Sequence, residues 1–186
     1  MITGLYSPTS KKTKLGRVAT VNRPAGTTCP GASEWCARDC YAKHGLFRTF
    51  GHQARYGAAT LTLPAKLPPV VRLHVSGDFD TVEYVRLWIE KVKANPDTLF
   101  WAYTRSWNVP ELLPELEALR VLPNMQLFAS VDPTMPEPPK GWRIAHVADS
   151  RFRGMECLEQ NGKMPDCETC GYCFWKGKGN VEFNLH

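Results

Sequence analysis

The sequence lacks cysteine throughout its middle. Of the seven cysteines in 186 residues, none lies among the 116 residues between Cys40 and Cys157. Three cysteines precede this gap and four follow it. Disulfide frameworks space their paired cysteines through small secreted chains, and an odd number in two tight groups does not fit that pattern. The distribution indicates metal chemistry near both ends of the chain.

Long hydrophobic runs are also absent. No stretch approaches the roughly 20 apolar residues that a membrane helix needs, and residues 1–8 lack the apolar core of a secretory signal. We therefore expect no membrane partner and a reducing, cytoplasmic location. No repeat or low-complexity linker divides the chain, and its 43% hydrophobic and 22% charged residues are ordinary globular composition. The sequence predicts one domain, residues 1–186.

The C-terminal cysteine group consists of Cys157, Cys167, Cys170 and Cys173. Its last three members form two overlapping Cys-x-x-Cys steps, whereas tetrahedral zinc sites usually draw on separated pairs. Three thiolates at this spacing ligate [4Fe–4S] clusters in bacterial-type ferredoxins, and the cysteine ten residues upstream can supply the fourth ligand. Structural zinc and reduced, unligated thiols remain alternatives.

The N-terminal group has only Cys29, Cys36 and Cys40. Three thiolates complete neither a four-iron cluster nor a zinc tetrahedron, so a fourth ligand must come from solvent, substrate, cofactor, a histidine or a remote cysteine. An open coordination position is typical of catalytic metal sites. Two separate clusters and one shared cluster are both compatible with the sequence, and we take two as the working hypothesis.

Alternating apolar patterns predict an α/β domain between the cysteine groups. Strands are predicted over residues 16–22, 70–76, 98–103, 125–131 and 142–147. A helix begins at a capping box, Asp80 to Glu83, and another is built on leucines between residues 112 and 119. This order favours parallel βαβ units. Three segments follow: an N-terminal cysteine loop and helix over 29–58, a βα core over 70–150, and a C-terminal cysteine segment over 151–186.

Polar residues end each predicted core strand. The clusters are Ser76-Gly77-Asp78, Tyr103-Thr104-Arg105-Ser106, Ser130-Val131-Asp132 and His146-Val147-Ala148-Asp149. Functional groups gather beyond the carboxyl ends of parallel strands. A helix cap, a turn or a structural ion pair would explain any one cluster, but four at one edge favour a site. His74 falls inside a strand and is predicted to belong to the core.

The chain carries a net charge of +5, with basic residues near both ends. Lys11, Lys12, Lys14 and Arg17 form one group, and Lys176 and Lys178 form the other. Such groups either contact nucleic-acid phosphates or are simply solvated. No zinc-finger, helix-turn-helix or RNP motif accompanies them, so nucleic acid stays an alternative partner.

Several of these motifs occur together in one known family. Cys29-Pro-Gly-Ala, Cys40-Tyr-Ala, the stretch 72–79 and Tyr103-Thr-Arg-Ser, followed by a C-terminal cysteine group, resemble the phage and plasmid family "gene product 88". The resemblance covers most of the chain. It implies a phage protein that acts in the host cytoplasm.

More distantly, the order of parts is similar to the radical S-adenosylmethionine (SAM) superfamily. That resemblance implies a partial (β/α) barrel in which the N-terminal cysteines hold three irons of a [4Fe–4S] cluster. The C-terminal cysteines would then hold an auxiliary cluster. SAM contacts are expected from the residues at two strand ends: Ser76, Gly77, Asp78 and Ser130.

The functional expectation is an iron–sulfur protein that cleaves SAM reductively and starts radical chemistry on a substrate. The substrate, small or macromolecular, is not identified by the sequence, and a reductant protein is an expected partner. Candidate catalytic or substrate-contacting residues are Asp78, Tyr103, Arg105, Asp132 and Asp149. The alternatives are a non-catalytic iron–sulfur protein for electron transfer, redox sensing or binding, and a zinc-stabilised nucleic-acid-binding protein.

Overall fold

A single eight-stranded sheet forms the centre of the computed structural model, which describes residues 1–8, 14–43, 52–147 and 149–184. The predicted basic residues Lys11 and Lys12 lie outside these ranges. The strands are β1 (Leu5–Ser7), β2 (Ala19–Asn22), β3 (Val70–Leu73), β4 (Leu99–Thr104), β5 (Met125–Val131), β6 (Arg143–Val147), β7 (Met155–Glu156) and β8 (Val181–Phe183).

Five α-helices are assigned in the described residues: α1 (Glu34–Arg38), α2 (His52–Ala58), α3 (Val82–Lys93), α4 (Leu113–Arg120) and α5 (Cys167–Cys170). Two 3-10 turns, Tyr41–Lys43 and Ser106–Asn108, and one π-helical turn, Tyr172–Lys176, complete the set. Among the described residues, none of these helices has the length and apolar character needed to cross a membrane.

The sheet is open and almost entirely parallel. Its order is β1-β2-β3-β4-β5-β6-β8-β7, and among the strand pairs of the described residues only β1–β2 is antiparallel. This confirms the mixed α/β class, but the expected partial barrel is not confirmed. A (β/α) barrel places a helix after each strand, whereas the described residues between β5 and β6 contain none.

One face of the sheet packs against α3 and α4. The buried side of α3 carries Tyr84, Val85, Trp88, Ile89 and Val92, and α4 contributes two buried leucines. Since side chains alternate along a strand, Phe100 and Ala102 of β4 face this layer. Here lies the main hydrophobic core.

The opposite face is covered by the C-terminal segment. Phe174 of the π-helical turn stacks on Trp101 of β4, with ring centroids 4.9 Å apart. Phe128 of β5 packs with Val181 of β8 in the same layer, and Cys173 contacts both hydrophobic clusters. The C-terminal cysteine segment therefore packs on the sheet as part of its second face.

The predicted elements are present with shifted ends. The strand expected over 70–76 stops at Leu73, because His74 adopts a left-handed conformation (φ 61°). His74 is buried, as predicted, and its Nε2 lies 2.9 Å from the Tyr84 hydroxyl. The predicted capping box is displaced by one residue: Thr81 caps α3, accepting from the Tyr84 N–H. Asp80 instead forms an ion pair with Arg23.

Asn124 gives a test of this architecture. Its buried side-chain amide donates to the carbonyl oxygens of Val92, Asn95 and Thr98, at 3.1, 3.0 and 3.0 Å, and so joins the end of α3 to the start of β4. Asn124→Ala should lower the free energy of unfolding by about 2–4 kcal/mol, measured by urea denaturation, because three buried carbonyls lose this donor.

The matched control is Asn108→Ala, at an exposed position in a 3-10 turn. It should change stability by less than about 0.5 kcal/mol. Equal effects of the two substitutions on stability would show that the Asn124 amide does not join the end of α3 to the start of β4.

Candidate metal centres at the edge and on one face of the sheet

Asp78 lies at the carboxyl edge of the parallel strands with its carboxylate buried. Oδ1 accepts hydrogen bonds from the Thr104 hydroxyl at 2.6 Å and the Phe79 N–H at 2.7 Å. Oδ2 accepts from the Arg105 N–H at 2.8 Å. Burial raises the pKa of Asp78 to about 6 even though these bonds favour the ionised form. The carboxylate joins the loop after β3 to the end of β4.

Asp132, at the end of β5, connects this edge to the N-terminal cysteine loop. It forms an ion pair with Arg105 and accepts a hydrogen bond from the Ser33 hydroxyl at 2.5 Å. Burial opposes its ionisation, but the hydrogen bonds from Ser33 and Thr134 outweigh that effect, and the pKa of Asp132 is lowered. Ser33 is also the N-cap of α1, where it accepts from the Cys36 N–H at 3.0 Å.

The cysteine loop packs directly onto the end of β4. A Cβ at Gly31 would lie only 2.1 Å from the carbonyl oxygen of Arg105. Glycine is therefore required at this position for the approach of the two backbones. The contact places the loop that starts at Cys29 on the same edge as Asp78 and Asp132.

The three N-terminal thiols lie within electrostatic range of one another and of the strand-end residues. Burial and the Asp78 carboxylate raise the pKa of Cys29 to about 12, and its two neighbouring thiols act in the same direction. Burial also raises the pKa of Cys36, while the guanidinium of Arg105 opposes the rise. All seven cysteines are free and partly buried. The structure thus brings Cys29, Cys36 and Cys40 together at the carboxyl edge, and we call them the edge group.

Cys157 and Cys173 pack on the sheet face opposite α3 and α4, Cys167 lies within electrostatic range of both, and Cys170 ends the short helix that Cys167 begins. We call these four cysteines the face group. Cys157 follows β7, Cys167 and Cys170 are the first and last residues of α5, and Cys173 lies in the π-helical turn. Burial raises the pKa of Cys167 to about 12 and that of Cys173 to about 11, and the neighbouring thiol of Cys157 raises both further.

Two arginines accompany the face group. Arg72 lies with its guanidinium carbon 5.3 Å from the ring centroid of Tyr103, and Arg143 lies 4.1 Å from that of Phe128. Among the described residues, Arg72 Nε and Arg143 Nη2 are buried without a hydrogen-bond partner. Buried cations are costly unless an anion compensates them. An iron–sulfur cluster with thiolate ligands is anionic. Its charge would compensate the two arginines, and the free cysteines are the ligand type that it needs.

A single metal ion fits the present positions less well. No three Cys, His, Asp or Glu side chains in the described ranges are grouped closely enough to hold one ion. At a Zn–S distance of about 2.3 Å, tetrahedral geometry puts thiolates roughly 3.8 Å apart. Binding zinc at either group would therefore require the thiols to move together.

The strand-end residues predicted as SAM contacts have other partners in the structure. The Ser76 hydroxyl donates to the Arg23 carbonyl at 2.9 Å and accepts from the Gln53 amide at 3.0 Å. Gly77 turns the chain at φ 80°, where a Cβ would lie 2.6 Å from that of Arg23. Ser130 is on β5, and its carbonyl accepts from Trp107 Nε1 at 3.1 Å. Their proposed SAM contacts stay predictions.

The predicted substrate contacts divide between the two groups. Arg105 and Asp132 lie with the edge group. Tyr103 faces the other way and packs in the same clusters as Cys173. Burial and the Cys173 thiol hold the pKa of Tyr103 well above its usual range. Asp149 is engaged by Arg151 at 2.6 Å, which lowers its pKa.

Several residues of the two sites were not predicted. Ser33 follows the Cys29-Pro-Gly-Ala motif. Serine is a preferred N-cap residue, so its position at the start of a helix could have been predicted from the sequence. Arg72 and Arg143 lie in strands, and a single arginine among apolar strand residues is a signal of a charged partner. That partner, the face group, lies far away in the sequence.

Comparison with known proteins identifies relatives but no solved structure. The family described as Gene product 88 matches residues 58–156, just over half of the chain. The "Gene 88 protein" of Mycobacterium phage L5 is 28% identical over 215 aligned residues, covering 91% of this chain and 88% of the phage protein. The "Gene 88 protein" of Mycobacterium phage D29 is 27% identical, with the same coverage. No solved structure matches.

Gly31 allows the edge-group packing to be tested. Gly31→Ala should lower the free energy of unfolding of the reduced, metal-free protein by about 1–3 kcal/mol, because the new methyl group overlaps the Arg105 carbonyl. Urea denaturation followed by tryptophan fluorescence measures the change.

Gly57→Ala is the matched control, since a Cβ at this position in α2 meets only Pro24, at 3.6 Å. Removing a helical glycine should leave stability unchanged or raise it by up to about 1 kcal/mol. A Gly31→Ala protein as stable as the parent would show that the loop does not pack as described.

Proposed function

We propose that this chain, which belongs to the gene product 88 family, is an iron–sulfur protein with one [4Fe–4S] cluster at the edge group and a second at the face group. The observation that carries the proposal is that each of the two cysteine segments packs on the sheet with thiols within electrostatic range of one another, one at the carboxyl edge and one on a face. Cys157, Cys167 and Cys173 interact electrostatically in the face group, which adjoins two half-buried arginines that each carry one buried nitrogen without a hydrogen-bond partner among the described residues.

The edge group supports an open cluster. It supplies three cysteines, and it lies at the carboxyl edge of a parallel sheet, where α/β proteins bind their substrates. Arg105 and Asp132 border it, and a small cleft of about 230 Å³ beside them is lined by Ser33, Glu34 and Met135, among others. When bound, a four-iron cluster supplies one-electron chemistry and one iron without a protein ligand.

The face group supports a closed cluster. Four cysteines complete its ligand set, and Trp101, Phe128 and Phe174 form an apolar layer over the same face. Apolar surroundings exclude water and tune cluster potentials. Its role in the proposal is to pass electrons towards the edge group.

In the catalytic form of the proposal, SAM binds the open iron of the edge cluster. The guanidinium of Arg105 pairs with Asp132 through Nη1, and in this form of the proposal its other nitrogens would bind the carboxylate of SAM. Asp78 already accepts three hydrogen bonds from the strand ends, so in the proposal it fixes the edge in place. Cys29, Cys36 and Cys40 would hold the cluster, and SAM bound there would supply one-electron reductive cleavage of its own C5′–S bond as the source of radical chemistry on a substrate.

Cysteine substitutions separate the two clusters. Anaerobically purified protein should contain about eight irons and eight sulfides per chain, and both Cys36→Ser and Cys173→Ser should retain about four. The two variants act as controls for each other, because each leaves the other group intact. Iron and sulfide analysis, together with absorbance near 400 nm, measures the outcome.

Two results would contradict this part of the proposal. Complete loss of iron from both variants would mean that the groups share one cluster. A colourless protein that contains zinc would favour the zinc-stabilised alternative, with salt-dependent nucleic-acid binding as its further test.

SAM addition tests the catalytic form. With dithionite as the electron source, SAM should change the EPR spectrum of the reduced protein and yield 5′-deoxyadenosine. The spectral change should persist in Cys173→Ser and disappear in Cys36→Ser, because only the edge group has an open position. An unchanged spectrum without 5′-deoxyadenosine would leave the non-catalytic iron–sulfur function.

A further inference from the structure

Described members of the two basic groups lie beside the face group: Lys14 and Arg17 from one end of the sequence, Lys176 and Lys178 from the other. The Cys167 N–H donates to the Lys14 carbonyl at 3.0 Å, and the Glu168 N–H donates to the Leu15 carbonyl at 3.2 Å. These backbone bonds fix residues 14–15 against α5. Lys14 and Arg17 are both exposed there, and the Arg17 side chain is 78% accessible.

The π-helical turn adds an aromatic residue to the same surface. Phe174 is buried on Trp101, and the next residue, Trp175, is 69% exposed. The ammonium group of Lys176 donates to the Thr169 carbonyl at 3.1 Å, so its side chain lies across the end of α5. Lys178 follows, also exposed. We call this set the basic surface: Lys14, Arg17, Trp175, Lys176 and Lys178.

The nearby carboxylates leave the basic surface positively charged. Glu168 pairs with Arg17 at 3.3 Å and also accepts from its backbone N–H. Asp166 caps α5 by accepting from the Thr169 N–H at 2.7 Å. The carboxylates of Glu168 and Asp166 offset only part of the positive charge of Lys14, Arg17, Lys176 and Lys178. An exposed tryptophan within a positive rim matches a partner that has a small apolar patch surrounded by acidic residues.

We propose that the basic surface is the docking site of an acidic electron-donor protein that reduces the face cluster; this rests on the proposed function. The surface is formed by the same turns that carry Cys167, Cys170 and Cys173, so a protein bound there lies beside the face group. Electron-transfer complexes have small interfaces, and opposite charges bring the partners together quickly.

The surface suits a protein better than single-stranded nucleic acid. Proteins that bind single strands present several aromatic side chains, on which successive bases stack. In the described part of this surface, Trp175 is the one exposed large hydrophobic side chain. Tryptophan is enriched among the few residues that contribute most of the binding energy of protein interfaces.

The test uses the cluster-loaded protein with reduced flavodoxin, a small acidic flavoprotein, as the probe. Stopped-flow absorbance measures the rate of cluster reduction, with dithionite as a donor that needs no docking. For the parent protein, the flavodoxin rate should fall steeply as salt is added. Lys176→Glu combined with Lys178→Glu should lower it at least tenfold at low salt, and Trp175→Ala should lower it several-fold.

The matched control is Lys66→Glu combined with Lys140→Glu. These exposed lysines precede β3 and β6, and the pair changes the net charge by the same amount. The control should keep the flavodoxin rate within twofold of the parent, and dithionite should reduce all variants equally. A rate that depends on net charge alone would overturn the docking site.

Iron and sulfide content, measured first on each preparation, separates this proposal from the proposed function. A parent protein without a cluster overturns the proposed function and the docking site with it. A loaded protein whose flavodoxin rate is unaffected by the basic-surface substitutions overturns the docking site alone. The docking site is also wrong if those substitutions abolish binding of an oligothymidine strand and leave the flavodoxin rate unchanged.

Discussion

Burial of the Asp78 carboxylate at the carboxyl edge is the constraint on which the edge site depends. Asp78 Oδ2 accepts a hydrogen bond from the Arg105 N–H, and the Arg105 side chain forms an ion pair with Asp132. Asp132 accepts a hydrogen bond from the Ser33 hydroxyl, and Ser33 is the N-cap of α1, the helix that carries Cys36. Removing one of these acceptors without a replacement would lower the free energy of unfolding by about 1–3 kcal/mol, because a buried donor would be left without a partner. The position of the edge thiols is therefore linked to the strand ends through a continuous series of polar contacts.

The face group depends on a different balance of charge. Arg72 and Arg143 each have a buried nitrogen without a hydrogen-bond partner among the described residues, and both arginines lie within electrostatic range of the Cys173 thiol. Protonated thiols do not compensate a buried cation. The thiolates of an anionic cluster do, and metal-binding energy in such sites contributes to folding. This charge balance supports a cluster at the face group, while the three-cysteine set supports an open one at the edge.

Much of the architecture follows from local sequence patterns. The β-branched and aromatic runs predicted β3 to β6, and parallel connections predicted that Asp78, Arg105 and Asp132 would meet. The orientation of Tyr103 could also have been predicted, since alternation sends it to the face opposite Thr104. By contrast, the insertion of β8 between β6 and β7 and the pairing of α5 with residues 14–15 arise from contacts between distant segments. Local patterns carry no information about such pairings.

The central claim is that the seven cysteines hold two separate clusters. Native mass spectrometry of the anaerobically purified protein tests this most directly, because it counts intact cofactors on each chain. We expect a dominant species with two four-iron, four-sulfide clusters, which loses one cluster before the other as collision energy rises. A dominant species carrying one cluster, or zinc with no sulfide, would contradict it.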